Sequence, residues 1–357
     1  MKIDILLPTG RQGGVENMIK LFAEHLLQGE WNVRVVQLVW ANETWLPEEI
    51  PFFPLLTGKG TYALDKLTEA YRDFLEKNDC PDVILATNWP YASYIGKTAA
   101  QLVQQSPKVI SWLHAPLTKY QAGGLGDERA LSYADGHLAI SGEIYRELIR
   151  FFRKEMVERV NNAVDFPDEI CHRNNEKEKR ILYFIGRFED EKRLDLILLA
   201  MGNEQVKKDW ELFLIGCGES EREERQPHEW AKKYRAEDAV HWLGWQSEPW
   251  SFAKDADYIV MASDYEGSSL VVIEALSRGI GMITTPVGLA PEIIKPGING
   301  YLFPCGDADA LIEILTAIPR GVLPALSPEE CRQSVQAFER ETALQNMEQQ
   351  IRKLMKG

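Results

Sequence analysis

Short runs of apolar and β-branched residues alternate with longer amphipathic stretches along almost the whole chain. In the first half, the runs Ile3–Leu7, Val33–Val39, Val83–Thr87, Val109–Leu113 and Gly136–Ile140 predict strands. Apolar positions spaced by three or four residues predict helices over Val15–Leu27, Leu64–Lys77, Tyr91–Gln104 and Gly142–Phe152. The second half repeats the scheme. Its strands are Ile181–Ile185, Glu211–Ile215, Val240–Leu243, Tyr258–Ala262, Gly281–Thr284 and Tyr301–Phe303, and its helices Leu194–Met201, Glu221–Arg235, Leu270–Arg278 and Ala308–Ile318. This alternation is the pattern of α/β domains whose parallel sheets carry helices on both faces. The stretch Asn174–Arg180 is polar, charged and aperiodic, and so predicts a linker. The expected organisation is two Rossmann-like, doubly wound domains, over residues 1–165 and 166–336. A further helix, Ala337–Met355 within residues 337–357, is expected to pack back on the first domain. Ligands of such sheets gather outside the carboxyl ends of the strands, so a cleft between the two domains is the expected site.

Composition narrows the functional classes. Of 357 residues, 45% are hydrophobic and 26% charged, which is globular and excludes a disordered, collagenous or coiled-coil chain. The net charge of −14 makes a general nucleic-acid binder a poor fit, because phosphate backbones require a basic footprint. Cys80, Cys171, Cys217, Cys305 and Cys331 are scattered, without the paired spacing of a zinc site or a disulfide framework. The opening Met1–Pro8 is too short and too interrupted, by Asp4, for a secretory signal, and no apolar run approaches the roughly 18 residues that cross a bilayer. A cytoplasmic location is expected.

Four segments carry candidate chemistry. Pro8-Thr9-Gly10-Arg11-Gln12-Gly13-Gly14-Val15-Glu16 joins the first strand to the first helix, where glycines and free helix N–H groups admit an anion. It lacks G-x-G-x-x-G, and an ordinary turn is the other reading. Gly216-Cys217-Gly218 is followed by the highly charged Glu219–Arg225, which would repel a pyrophosphate, and reads as a plain turn. After the strand Ile181–Ile185, Gly186 turns the chain and Arg187 and Lys192 flank Glu189, Asp190 and Glu191. The cations suit a diphosphate leaving group, or pair with those carboxylates on a solvated surface. Last, Glu266 follows a buried strand, Gly267-Ser268-Ser269 turn into a helix beginning at Leu270, and Glu274 lies inside that helix. A helix N-terminus with a carboxylate on either side suits a phosphate with sugar hydroxyls at its two ends, as in a nucleotide sugar. A capped amphipathic helix is the alternative.

Taken together, the E-x7-E element Glu266–Glu274, Gly13-Gly14, Gly186-Arg187, Lys192 and Asn162-Ala163-Val164-Asp165 resemble glycosyltransferase family 4 over nearly the whole chain. The segments Ser111–His114, Tyr133–Ser141, Leu243–Trp250 and Ile294–Gly300 are similar to the lipopolysaccharide-core 1,6-galactosyltransferases of that family. The resemblance implies a GT-B fold, two Rossmann-like domains facing each other across a cleft. It also implies a retaining hexosyltransferase that takes galactose or glucose from a UDP-sugar to a glycan or glycolipid acceptor. By resemblance Arg187 and Lys192 hold the donor diphosphate, with backbone N–H groups near Gly14, Ser269 and Leu270. Glu274 meets the ribose, Glu266 the transferred sugar, Gln246 the base side, and His114 the sugar beside the reacting bond. The turn Gly267-Ser268 and the loop Gly13-Gly14 complete the donor site. The chain departs from the usual family pattern at Ser269 and Gly281, where Pro is common, and at Ala163, where Gly is common. Loop shape and sugar selectivity are what these departures touch.

Asp255-Ala256-Asp257 spells the D-x-D of metal-dependent glycosyltransferases, but it precedes the strand Tyr258–Ala262 and reads as a helix-to-strand turn. Neither a metal nor another cofactor is expected, the UDP-sugar being a co-substrate. Arg146–Lys154 mixes cations with Leu, Ile and Phe at helical spacing, which suits an amphipathic core helix or a peripheral contact with an anionic membrane surface. A UDP-sugar epimerase of the same architecture and a non-catalytic nucleotide-sugar sensor are the alternative functions.

Overall fold

A computed structural model describes residues 1–10, 13–40, 45–58, 62–171 and 178–357. They divide into two compact units, Met1–Ala163 with Arg340–Gly357, and Val164–Glu339. The linker segment expected at Asn174–Arg180 lies largely outside the described residues, and its last residue, Arg180, already opens a strand.

The first unit is built on seven parallel strands: β1 (Lys2–Thr9), β2 (Asn32–Trp40), β3 (Phe52–Thr57), β4 (Val83–Thr87), β5 (Lys108–Leu113), β6 (Gly136–Ala139) and β7 (Val157–Arg159). Their order across the sheet is β3-β2-β1-β4-β5-β6-β7. Alternate residues face opposite layers, as the pleat requires. Ile3, Ile5, Leu7, Val33, Leu85, Ile110 and Trp112 pack in one layer, which receives Phe22 and Leu26 of the helix Gly14–Gln28. The same layer takes Ala343, Leu344, Met347, Ile351 and Leu354 of the last helix, Arg340–Lys356. Leu6, Val36, Ile84 and Val109 face the other layer, against the helices Leu64–Lys77 and Pro90–Leu102. Burial on both faces explains why these strands read as apolar runs in the sequence.

Two strands of this sheet escape the sequence pattern. β3 contains Pro54, which weakens a strand signal, and it is tolerated because β3 is an edge strand paired only with β2. β7, at the opposite edge, is three residues long. The helix expected over Gly142–Phe152 ends at Leu148. Phe152 leaves the helical course and lies against the His137 ring, 4.1 Å between centroids.

The second unit has six parallel strands: β8 (Arg180–Ile185), β9 (Trp210–Ile215), β10 (Val240–Gly244), β11 (Tyr258–Met261), β12 (Gly281–Thr284) and β13 (Gly300–Leu302), in the order β10-β9-β8-β11-β12-β13. The winding reverses between β8 and β11, which pair through Leu182 with Tyr258 and Tyr183 with Ile259. In the first unit the reversal falls between β1 and β4. Crevices at such reversals, outside the carboxyl ends of the strands, are where doubly wound sheets hold ligands. Among the described residues no helix is long and apolar enough to cross a membrane, and all five cysteines are free.

Candidate active site

In the second unit the two strands flanking the reversal deliver the charged groups. β8 ends in Gly186, and the chain runs through Arg187 and a 3-10 turn, Asp190–Lys192, into the helix Leu194–Met201. β11 ends in a turn through Ser263 and Glu266 that leads to the helix Leu270–Ser277. The two loops meet: Asp264 N–H donates to the Glu191 carbonyl, and Lys192 Nζ lies 2.7 Å from Glu266 Oε1. The Lys192 and Glu266 side chains are only 18% and 12% exposed, so the pair is shielded from solvent screening. Ser263 Oγ, fully buried, donates to the same carboxylate oxygen at 2.9 Å. Beneath it Gly288, at φ +57, leaves just enough room, since a Cβ there would lie 3.0 Å from Glu266 Cβ.

Arg187 is held differently. Its side chain is 57% exposed, and Nη1 sits 2.7 Å from Glu219 and 2.9 Å from Glu189. Burial pushes the Glu189 carboxyl above its usual range, partly opposed by Arg187. Glu219 arrives from the turn after β9, where the strand ends crowd together. A Cβ on Gly216 would stand 1.8 Å from the Gly186 carbonyl oxygen, so that approach requires glycine. Gly216-Cys217-Gly218 is therefore a packing turn, followed by the capping box of Ser220 and Glu223.

The helix Leu270–Ser277 opens without a side-chain cap, leaving its first N–H groups unoccupied by one. Ser268 and Ser269 before it are buried, and Ser269 Oγ contacts Met261 Sδ at 3.1 Å. Ser269 has φ +51, a left-handed conformation closed to proline, whose ring fixes φ near −65°. The replacement of the family's usual Pro thus goes with a different turn. Glu274 is half-buried and accepts a hydrogen bond from Trp250 Nε1 at 3.1 Å. Burial raises its pKa, while the Trp250 N–H and the Arg278 charge hold it down. Gln246 folds its amide back onto the end of β10, donating to the Leu243 carbonyl at 2.8 Å.

The remaining candidates belong to the first unit. Gly13 caps the helix Gly14–Gln28 with extended backbone at φ −172, again with no side-chain cap. Arg11 and Gln12 of the same loop lie outside the described residues. His114 follows β5 and is 8% exposed. Burial lowers its pKa to about 3, so its imidazole is neutral at any working pH. Its ring packs 4.4 Å from the Trp112 ring, and Nε2 is buried without a hydrogen bond. The His114 N–H donates to Tyr120 Oη at 3.2 Å, and that hydroxyl donates to Asn88 Oδ1 at 3.0 Å. Asn88, at the end of β4, holds a left-handed φ of +65.

The structure thus brings Arg187, Lys192, Gln246, Glu266, Gly267, Ser268, Ser269, Leu270 and Glu274 to one unit, while Gly13, Gly14 and His114 belong to the other. Sequence reasoning missed Ser263, Glu219 and Trp250. Ser263 precedes Glu266 by three residues and carried no spacing signal, and Glu219 was read only as repelling charge.

Residues 166–320 match the model of the family described as glycosyl transferases group 1. The lipopolysaccharide 1,6-galactosyltransferase of Escherichia coli is 28% identical over 269 residues, 73% of this chain and 70% of that protein. The enzyme of the same name from Salmonella typhimurium is 28% identical over 253 residues, 69% of this chain and 67% of its own. Among solved structures, the lipopolysaccharide outer core galactosyltransferase WaaB in its apo form superposes with a TM-score of 0.85 at 21% identity, covering 98% of this chain and 99% of that one. Anabaena Alr3699/HepE in complex with UDP and glucose does so at 0.77 and 18% identity, covering 99% of both. These likenesses establish a shared GT-B fold.

Proposed function

We propose that this chain, whose residues 166–320 match the model of the group 1 glycosyltransferases, moves a hexose, galactose or glucose, from a UDP-sugar to a glycan or glycolipid acceptor such as a lipopolysaccharide core, with retention at the anomeric carbon. The observation that carries this reading is the Lys192–Glu266 pair at the sheet reversal. A cation that meets diphosphate oxygens and a carboxylate that meets sugar hydroxyls stand side by side there, next to an uncapped helix N-terminus. HepE, of the same fold, holds UDP and glucose.

In the reaction the acceptor hydroxyl bonds to the anomeric carbon on the face from which UDP departs. The bond from that carbon to the diphosphate oxygen breaks, and the hydroxyl proton passes to the leaving phosphate. Lys192 and Arg187 stabilise the charge that grows on the diphosphate. Lys192 exchanges its contact with Glu266 for the phosphate, freeing that carboxylate to accept from the hexose. Glu274 accepts from the ribose. His114, being neutral, offers Nε2 to a sugar hydroxyl and takes no part as a cation.

Incubation with UDP-galactose, UDP-glucose and other nucleotide sugars, with and without truncated lipopolysaccharide cores, tests the reading. Acceptor-dependent release of UDP supports transfer. Interconversion of the sugars without an acceptor would mean an epimerase, and binding without turnover a sensor.

A peripheral membrane contact is part of the proposal, in keeping with a cytoplasmic enzyme acting on a lipid-linked acceptor. With the helix ending at Leu148, Ile149 and Phe151 are exposed among the exposed cations Arg146, Arg150, Arg153 and Lys154. That is a local basic and apolar patch on an acidic chain. Co-sedimentation with phosphatidylglycerol vesicles, but not with phosphatidylcholine vesicles, is the expected result. Equal recovery with both would remove it.

A further inference from the structure

Glu274 reaches a ribose only if its carboxylate is held ionised and in one orientation, yet its own helix supplies a single nearby cation. That cation is Arg278, one turn on, whose Nη1 donates to the Glu274 carbonyl at 2.9 Å rather than to its carboxylate. The contact with the carboxylate comes from elsewhere. The short helix Pro249–Phe252, after β10, presents Trp250, and its indole N–H reaches Glu274 Oε2 at 3.1 Å. The guanidinium of Arg278 lies over the Trp250 ring, 4.5 Å from its centroid. One cation thus braces the indole, and the indole braces the carboxylate.

One side of this indole packs against the core of the second unit. It is half-buried, and with Arg278, Lys254, Cys171 and Ile170 it lines a cavity of about 480 Å³. On the cavity side the stacked guanidinium and the hydrogen bond to Glu274 add to that packing in fixing its orientation. Arg278 has no ion pair among the described residues, and desolvation lowers its pKa. Its charge acts on Glu274, Cys171, Asp165 and Glu248, and Lys254 and Glu169 line the same cavity.

We propose that Trp250 and Arg278 are positioning residues of the donor site, which hold the Glu274 carboxylate in place for the ribose hydroxyls. The inference rests on the reading of Glu274 as the ribose ligand, and it adds a second layer that the E-x7-E spacing does not contain. Trp250 touches no reacting atom; it acts through Glu274.

The test compares the affinity of the full chain for UDP and for 2′,3′-dideoxy-UDP, which lacks the hydroxyls. Wild type prefers UDP, and Glu274→Gln abolishes the preference. Trp250→Phe, which keeps a ring but removes the N–H, and Arg278→Gln each lose about tenfold of the preference, as loss of one hydrogen bond to a charged group predicts, while binding dideoxy-UDP as wild type does. Trp250→Gln, which restores an N–H donor, recovers part of it. Uridine, which has no phosphate to titrate, provides a second readout. Its affinity falls toward acid pH as Glu274 takes up a proton, and the fall begins at higher pH in Trp250→Phe, because a hydrogen bond that holds the pKa down is gone. Equal losses for UDP and dideoxy-UDP, or superimposable uridine profiles, overturn the positioning role. If Glu274→Gln abolishes the preference and both Trp250→Phe and Arg278→Gln retain it, the positioning role falls and the ribose reading stands. If Glu274→Gln itself retains the preference, the ribose reading falls first.

Discussion

The carboxyl ends of the two sheets are chemically opposite. In the second unit they carry formal charges paired with one another: Lys192 on Glu266, Ser263 on the same oxygen, and Arg187 on Glu219 and on one oxygen of Glu189, whose Oε2 is buried without a hydrogen bond. In the first unit the end of β5 is buried and neutral, with His114 Nε2 and Trp112 Nε1 lacking hydrogen-bond partners among the described residues. A ligand of the second unit must therefore exchange ion pairs, which suits a polyanion such as a diphosphate. A ligand of the first unit fills open hydrogen-bonding capacity, which suits sugar hydroxyls. The same doubly wound scaffold thus carries paired charges at one sheet and buried, unpaired neutral donors and acceptors at the other.

The largest effect is expected on the charged surface. Lys192→Ala removes a shielded cation from the place where, on the proposed function, diphosphate charge grows, and turnover should fall about 10²–10³-fold, or about 2–4 kcal/mol, with a smaller loss of UDP affinity. Arg187→Ala should fall in the same direction by less, because that side chain is mostly exposed and already shared between two carboxylates. Steady-state kinetics with the active UDP-hexose checks both. Unchanged turnover in Lys192→Ala would end the assignment of this surface to the diphosphate.

The two glutamates come next, because the proposed function assigns them to the donor's two ends. Glu274→Ala should weaken UDP and UDP-hexose alike, by about one to two orders of magnitude, since the ribose is common to both. Glu266→Ala should leave UDP affinity nearly unchanged while lowering transfer and blurring the choice between hexoses. Calorimetry with UDP and with the intact donor separates them. Equal weakening of UDP in both variants would show the ends to be misassigned.

Much of this charged surface was legible in the sequence, for a physical reason. A carboxylate after a buried apolar run and a Gly-Ser-Ser turn before a helix fix Glu266, Gly267 and Ser268 at the end of a parallel strand whatever the rest of the fold does. The same logic placed Gly186, Arg187 and Lys192. What could not be read is pairing across the fold. Arg187 meets Glu219 from the next strand's turn, and Glu274 meets Trp250 from a helix 24 positions away. The stretch after Leu148 has helical spacing, yet it continues only as hydrogen-bonded turns, with Phe152 packed near the His137 ring. On the neutral surface the sequence offered a histidine at a strand end, and nothing in its spacing announced Tyr120 and Asn88 as the groups that hold its backbone.

The neutral surface yields a moderate effect with a distinct signature. His114→Ala should lower transfer by about tenfold, the cost of one neutral hydrogen bond, and leave UDP affinity untouched. Because burial holds the His114 pKa at about 3, the acid limb of the rate should stay in place in that variant. The same depressed value sets a stability signature. Below about pH 6.5 the unfolded chain protonates this histidine and the folded one does not, so stability falls as pH falls from there toward 3. Thermal melts of wild type and His114→Ala between pH 7 and 5 should converge on acidification, whereas parallel curves would mean that the folded imidazole accepts its proton normally.

The smallest expected effect is none at all, and it concerns the acidic pair that imitates a metal site. Asp255 and Asp257 sit just before β11, at the amino end of that strand, opposite the end that carries Glu266. Both carboxylates have structural work. Asp257 Oδ2 accepts the Ile181 N–H at 2.8 Å, and Oδ1 lies 3.8 Å from Arg180. Asp255 Oδ1 accepts from the Tyr183 hydroxyl at 3.2 Å. The pair thus ties the start of β11 to the start of β8, and a metal would have to displace those bonds. EDTA should leave turnover unchanged, and Asp257→Asn should lower the melting temperature, by losing the ion pair with Arg180, without altering the rate per folded molecule. Activity that vanishes with EDTA and returns with manganese would move these carboxylates from the frame of the sheet into the reaction.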